Sequence, residues 1–291
     1  MKAAGQRLEQ WISSRKIRAF GVILGLSLLL YVNVFAAPAG VLQIHFLDVG
    51  QADCILIQTP HGKNMLVDAG NNDDADYITA YLVKHGVKTL QVIIGTHPHE
   101  DHIGGMDQII NRFAVGRIYL PRVTTTTRSF EDLLLAIKNK GLKIKSVRGG
   151  GTIQLDSAVS IRVLAPNSDT YRELNNYSIV LKLTHGRNAI LLTGDAEAIS
   201  EAEMLQKHYP LKADLLKVGH HGSANSTTDE FLAAVAPKVA VISVGKGNNF
   251  KHPHRETLQR LKKDHVKVYR TDKSGTIRWN SDGKTIKKAG K

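Results

Sequence analysis

An α/β architecture of two β-sheets sandwiched between helices is what this 291-residue sequence predicts, on three observations. Short runs that are apolar almost throughout alternate with helix-period segments, the pattern of sheets covered by helices. Each half of the chain carries a β-rich portion followed by helices, with no Pro/Ser/Gly-rich linker between them, so residues 40–291 read as one domain of about 250 residues. Several of the apolar runs end in Asp or His, which places ligand-type side chains along one rim of such a fold.

The N-terminus is a different physical object. Lys2, Arg7, Arg15, Lys16 and Arg18 precede the uncharged run "AFGVILGLSLLLYVNVFAA" and the small residues of "VFAAPAG". That order is that of a secretory signal, and a run of roughly 20 apolar residues also spans a bilayer. Residues 1–39 are therefore expected to be a signal peptide, cleaved after Ala36 or Ala39, or a retained membrane anchor. The basic flank keeps the N-terminus inside in both cases. The remainder is then extracellular, either secreted or held on the outer face of the cytoplasmic membrane.

Strands follow at "VLQIHFLDV", "CILIQT" and "NMLVDAG", with turns at "PHGK" and "AGNND". A helix is expected from about Ala75 to Lys84, then the strand "LQVIIG". "SFEDLLLAIKNKG" reads as a helix with a Ser cap and a Gly stop. The strand "VSIRVLA" precedes the hairpin "SIVLKLTHGRNAILLTGD", turning at His185 to Asn188. Strands "DLLKVG" and "VAVISVG" are separated from it and from each other by helical "AEAISEAEMLQKH" and "DEFLAAVA". A helix at "RETLQRLKKDH" and short strands "VKVYR" and "TIRW" complete the order, and "GKTIKKAGK" reads as a frayed basic tail.

Composition narrows the chemistry. The chain is 42% hydrophobic and 22% charged, an ordinary core-forming balance. Its one cysteine, Cys54, excludes an intrachain disulfide and lies in an apolar run where it packs as a small hydrophobe. Of the net charge of +13, the five early cations less Glu9 account for +4, leaving about +9 on the exported part. Charge alone leaves a polyanion-binding surface and an ordinary solvated one equally open.

The window "GTHPHEDHIGG" holds three of the 13 histidines, with Asp101 beside them. His97 and His99 are two apart, so on extended backbone their imidazoles point the same way, while Asp101 and His102 follow in a turn that leads into a helix at "IGGMDQIINRF". Imidazole nitrogens and carboxylate oxygens are the ligand set of zinc, manganese or iron. "MLVDAG", "LLTGD" and "LKVGHHGS" deliver Asp68, Asp195, His220 and His221 from three other strand ends.

"THPHEDHIGG" resembles the His-x-His-x-Asp-His signature of the metallo-β-lactamase superfamily, an αββα hydrolase fold. With "LDVGQADCILI", "LLTGD", "LKVGHHGS", "ISVGKGNNFKHPH" and "VYRTDKSGTI", residues 41 to about 280 are similar to the extracellular domain of ComEC-type DNA-uptake proteins. The resemblance implies one or two divalent ions, Zn or Mn. His97 and His99 would hold one, Asp101 and His102 a second, with Asp195 bridging and His220 or His221 completing the second site. Asp68 would orient a ligand histidine. The superfamily's further histidine before the bridging Asp is missing: only His185, at a hairpin tip, lies between His102 and Asp195, and "LNNYSIV" stands there with Asn175, Asn176 and Ser178. Ala52 replaces the glycine usual in "GQGD", and Lys251 stands where a glycine commonly precedes "HPH".

The expected activity is a metal-dependent phosphodiesterase or nuclease acting on DNA, since a divalent ion acidifies water from a pKa of 15.7 to about 7 and neutralises a leaving oxygen. Asp101, His252 and His254 are the candidate catalytic residues. Lys246, Lys251 and Arg255 are placed to neutralise phosphate, and Ser223, in the same glycine-rich loop as Ser226, to donate from it. The competing expectations are hydrolysis of another ester, such as choline phosphate on cell-wall polymer, and a non-catalytic DNA-binding surface protein whose ligand residues only staple the fold. Choline sites favour aromatic cages, and only Trp279 remains among the exported tryptophans. With one apolar segment, a role in DNA uptake calls for a separate channel partner.

Overall fold

A computed structural model describes residues 40–290; the expected signal or anchor segment, 1–39, lies outside the described residues. Fourteen strands form two sheets. The first runs in the order β14-β13-β1-β2-β3-β4-β5-β6 and comprises β1 Leu42–Phe46, β2 Ile55–Gln58, β3 Asn64–Val67, β4 Thr89–Ile94, β5 Ala114–Leu120, β6 Ile144–Ser146, β13 Ile277–Ser281 and β14 Ile286–Lys288. The second, β12-β11-β10-β9-β8-β7, comprises β7 Ser160–Ala165, β8 Val180–His185, β9 Asn188–Leu192, β10 Leu215–Lys217, β11 Val239–Ile242 and β12 Lys267–Arg270. Strands β3 to β6 are mutually parallel, as are β9 to β12, while the β1-β2-β3 and β7-β8-β9 meanders are antiparallel.

Period-2 alternation within nearly all-apolar strands accounts for the layering. Met65, Val67, Val92 and Ile94 of the first sheet meet Leu181, Leu183, Ile190 and Leu192 of the second in one buried cluster. Their strand neighbours face outward. Leu66 and Ile93 pack beneath helices α1 Ala75–Lys84, α3 Met106–Arg112 and α4 Arg128–Asn139. Leu191, Leu216 and Ala240 pack beneath α5 Ala198–Gln206, α6 Asp229–Val235 and α7 Arg255–Lys263. The order helix, sheet, sheet, helix is the sandwich the sequence predicts. Two single-turn helices, α2 Glu100–Ile103 and α8 Thr271–Ser274, sit at strand ends.

Several local expectations change. Asp101 and His102 lie on α2 rather than in a turn, and α2 and α3 are separate pieces. Gly105 joins them because a Cβ there would come within 2.6 Å of the Ala69 carbonyl oxygen. The cap of α4 is Thr127 rather than Ser129, which is buried inside the first turn. Strands β5 and β6 were not anticipated: Arg117 and Gly116 interrupt the apolar run of β5, and every residue of β6 is exposed. The basic tail is not frayed, since Ile286–Lys288 pairs antiparallel with Trp279–Ser281.

Candidate metal centre

The ends of β3, β4, β9 and β10 converge at one rim, where α/β folds assemble their sites. Asp68 follows β3, His97 and His99 follow β4, Asp195 follows β9, and His220 and His221 follow β10. Three of these residues adopt left-handed backbone conformations, with φ of 59° at Asp68, 47° at His220 and 52° at His221. Such conformations cost about 1–3 kcal/mol each outside glycine and cluster where side chains must be aimed.

Asp101, His102, Asp195 and His221 form one group whose ligand atoms all lie within 4.8 Å of one another. His221 donates its Nδ1–H to the Ser243 carbonyl at 3.0 Å, which leaves the Nε2 lone pair facing Asp101 Oδ2 at 3.1 Å and Asp195 Oδ2 at 3.4 Å. His102 is fixed the same way. Its Nδ1–H donates to Asp68 Oδ2 at 2.9 Å, and its Nε2 lies 3.3 Å from Asp195 Oδ2 and 3.6 Å from Asp101 Oδ2. Asp68 is held in turn by the Thr96 backbone N–H at 2.8 Å and hydroxyl at 2.9 Å. Lone pairs facing carboxylate oxygens repel, so a positive charge has to sit between them.

The electrostatics agree. Burial alone would lower the pKa of His102, yet Asp195, Asp101 and Asp68 hold it well above the ordinary imidazole value. His221 is raised against its own burial by Asp195, Asp101 and Asp53. Asp195, which burial would raise, is held well below the carboxylate range by His221, His102 and Lys217. His102 Nε2 and Asp195 Oδ1 are buried without a hydrogen-bond partner. Two oriented imidazoles, two carboxylates and orphaned donor atoms fit a divalent ion. The group opens to solvent at Asp101 and at the adjacent His220, whose side chains are 31% and 24% exposed.

His97 and His99 stand beside this group in a different state. His97 is fully buried, with Nδ1 3.2 Å from the Thr96 hydroxyl and 3.3 Å from the Ser178 hydroxyl. Its Nε2 is 2.9 Å from His99 Nδ1, so the two rings hydrogen-bond each other. Burial pushes both below the ordinary imidazole value, His97 strongly so. Ser178 also accepts the Asp195 backbone N–H at 3.1 Å. Asn176, which the sequence places next to the ligands, instead ties down Glu197: its Oδ1 accepts the Glu197 N–H, and its Nδ2 donates to Glu197 Oε2 at 3.3 Å. Glu197 faces His220 Nδ1 at 3.3 Å. His220 Nε2 is 3.8 Å from Asp195 Oδ2, so it is His221 that joins the central group. His185 is remote from it, bonded to Ser281 at the hairpin tip.

The "KHPH" loop divides. Gln51 accepts the Gly245 N–H with Oε1, so its amide nitrogen donates to His252 Nδ1 at 3.3 Å and leaves Nε2 to carry the proton of the neutral ring. Burial, with His220, His221 and His254, lowers the His252 pKa to about 4. His254, expected to act on substrate, has both nitrogens engaged: Nδ1 accepts the Ala224 N–H at 2.9 Å and Nε2 donates to the Phe250 carbonyl at 3.2 Å. It braces two loops instead. Ser223, expected to donate to phosphate, is buried, and its hydroxyl accepts the Asn225 N–H at 3.3 Å. Lys251 and Arg255 are exposed on the loop and at the start of α7.

Sequence reasoning missed Asp53 and Lys217. Lys217 is fully buried, with Nζ 2.5 Å from Asp53 Oδ2, 3.0 Å from the Gly194 carbonyl and 3.6 Å from Asp195 Oδ1. Burial works against its charge, but Asp53 and Asp195 raise its pKa. The signal was available. A lysine two residues after Leu215 on the same strand face points where an apolar side chain belongs.

The model of the metallo-β-lactamase superfamily matches residues 47–246. ComE operon protein 3 of Bacillus subtilis (strain 168) is 33% identical over 254 residues, covering 81% of this chain and 33% of that protein. Recombination protein 2 of Haemophilus influenzae is 33% identical over 267 residues, covering 90% of this chain and 31% of that protein. The chain thus spans about a third of the length of these relatives. Among solved structures, the metallo-β-lactamase fold protein YhfI from Bacillus subtilis matches with a TM-score of 0.51 at 13% identity, covering 78% of this chain and 95% of that one, a likeness of fold.

Proposed function

We propose that this chain, which belongs to the metallo-β-lactamase superfamily, is an exported metal-dependent phosphodiesterase acting on DNA. The observation that carries the hydrolase reading is the convergence of His102 Nε2, His221 Nε2, Asp101 and Asp195, with each imidazole fixed by an acceptor on its far nitrogen. DNA as substrate is supported by a relative named for recombination, and the net charge of about +9 on the part after the apolar run is compatible with it. Export is supported by the basic and apolar order of residues 1–39.

His102, Asp101, Asp195 and His221 would hold one zinc or manganese ion, and His97 and His99, once separated from each other, a second that shares Asp195. When bound, the metal acidifies water to a nucleophile usable at neutral pH and neutralises charge on the reacting phosphoryl group. The chain supplies the rest. Asp101, on the open side, is held as the carboxylate by His102 and His221 against the effect of its burial, and it would orient the attacking water by accepting a hydrogen bond. His252 is neutral at pH 7 with its Nε2–H free of the Gln51 contact, which suits a hydrogen bond to a phosphoryl oxygen better than delivery of a proton. Lys251 and Arg255 offer exposed positive charge to the flanking phosphates.

The test strips the full-length protein of metal with a chelator, returns manganese or zinc, and assays single- and double-stranded DNA, bis(p-nitrophenyl) phosphate and a choline-phosphate ester. Metal-restored DNA cleavage that His102→Ala abolishes is expected. Turnover of the choline ester alone would replace the substrate, and salt-sensitive DNA binding without turnover would replace the enzyme with a binding protein.

A further inference from the structure

Most large hydrophobic side chains of the described residues are buried, and Phe250 is the most exposed of them at 65%. It stands at the rim of the metal centre. Its ring stacks on His252 with centroids 5.7 Å apart and planes 25° apart, and His252 is stacked in turn on His221 at 6.3 Å and 26°. The three rings form a near-parallel file leading from solvent to the central group.

The loop presenting Phe250 is clamped. Asn248 donates to the Gly245 carbonyl at 2.9 Å and the His252 carbonyl at 2.7 Å and accepts the His252 N–H at 3.0 Å. His254 holds the Phe250 carbonyl itself. Lys251 takes a left-handed φ of 58°. An apolar ring held by polar clamps at 65% exposure gains little for the fold, because little of its area leaves water. Lys251 follows it in the chain and Lys246 and Arg255 flank the same loop, all exposed, and among the described residues none of the three has a carboxylate within 4 Å. A rigid aromatic face among unpaired cations is the pairing of features that takes single-stranded nucleic acid, with bases on the ring and phosphates on the cations.

We propose that Phe250 is a base-stacking platform that seats an unpaired nucleotide next to the reacting phosphate, with Lys246, Lys251 and Arg255 along the backbone, and that it directs the enzyme to single-stranded DNA. This rests on the phosphodiesterase reading and narrows its substrate. In a duplex the base faces are already stacked on each other and closed to the ring.

The test compares full-length parent, Phe250→Ala and Phe250→Trp proteins. With chelator present, so that binding is read without turnover, Phe250→Ala is expected to weaken binding of oligothymidylate by about 5- to 150-fold, the range of one lost base stack, and to weaken duplex binding less. Phe250→Trp is expected to restore affinity, with its added emission quenched by oligothymidylate. With metal present, the ratio of kcat/KM for oligothymidylate to that for bis(p-nitrophenyl) phosphate is expected to fall in Phe250→Ala. Unchanged oligothymidylate affinity and unquenched emission overturn the proposal, as does a loss of self-association in Phe250→Ala with nucleic-acid binding intact. Quenching in Phe250→Trp alongside a parent that binds oligothymidylate but cleaves neither substrate overturns the phosphodiesterase reading and leaves the platform standing.

Discussion

The two halves of the histidine cluster are built from the same residue types and are in opposite states. On one side, His102 and His221 each give their Nδ1 proton to a strong acceptor, the Asp68 carboxylate and the Ser243 carbonyl, and aim the other nitrogen at carboxylates. On the other, His97 has only two hydroxyls at its Nδ1, and its Nε2 is spent on His99. The Thr96 hydroxyl gives its one proton to Asp68, so it can only accept from His97, and Nδ1 carries the proton there too. What separates the halves is what meets the free Nε2: carboxylates on one side, the His99 ring on the other. The first half is set for a cation; the second has to break a hydrogen bond before it holds one.

The sharpest way to break this contrast is to remove Asp195, the carboxylate proposed to serve both ions. Asp195→Asn is expected to lower metal-dependent turnover and metal content by well over about 10²-fold, since even outer-shell substitutions reach that range, as read by DNA cleavage and by elemental analysis of dialysed protein. Equal loss from both ions on calorimetric titration would show that the two halves share it. Next in size, Asp68→Ala frees the His102 ring and should weaken the first ion by about 10- to 100-fold, with the second ion changing less. A larger effect on the second ion would reverse the assignment of the halves.

A pH titration of the metal-free protein, followed through the histidine ring protons by NMR, separates the halves by sign. His97 and His99, lowered by burial, should lose their protons below pH 6.5, and His102 and His221, raised by carboxylates, above it. Protonated His102 and His221 stabilise the metal-free fold below pH 6.5, and that contribution is lost as pH rises through their folded values. The neutral forms of His97 and His99 stabilise it above pH 6.5, and that contribution is lost as pH falls through theirs. Because a bound ion displaces protons from the first pair, its affinity should fall as pH drops, by up to about tenfold per unit for each proton displaced. The smallest effect belongs to Ser178→Ala, which removes one of two hydroxyls behind His97 and is expected to change second-ion affinity by a few-fold at most, on the order of one neutral hydrogen bond.

Much of this was legible beforehand because it is periodic or local. Alternating apolar strands and helices gave the sandwich, and strand ends carrying Asp68, His97, Asp195 and His221 gave the rim. What escaped is nonlocal. The choice of His221 over His220 depends on the carbonyl of Ser243, 22 residues later. That His254 is a brace depends on the Ala224 backbone meeting its ring. Strand β14 forms because β13 offers it an edge, and nothing in "TIKK" announces that partner. Lys217 shares a strand face with the apolar Leu215, which marks it as buried, but its partner Asp53 comes from the distant β1–β2 connection of the first sheet, and nothing local to β10 announces it.

Lys217 has a bearing on how the fold survives without its ion. Acidic groups gathered in a dry space push one another apart, and a chain relying wholly on an exchangeable cation to calm them would loosen each time that cation left. An ammonium tethered to β10 cannot diffuse away. It neutralises Asp53 and leans on Asp195 at all times, so the rim keeps its shape between one occupant and the next.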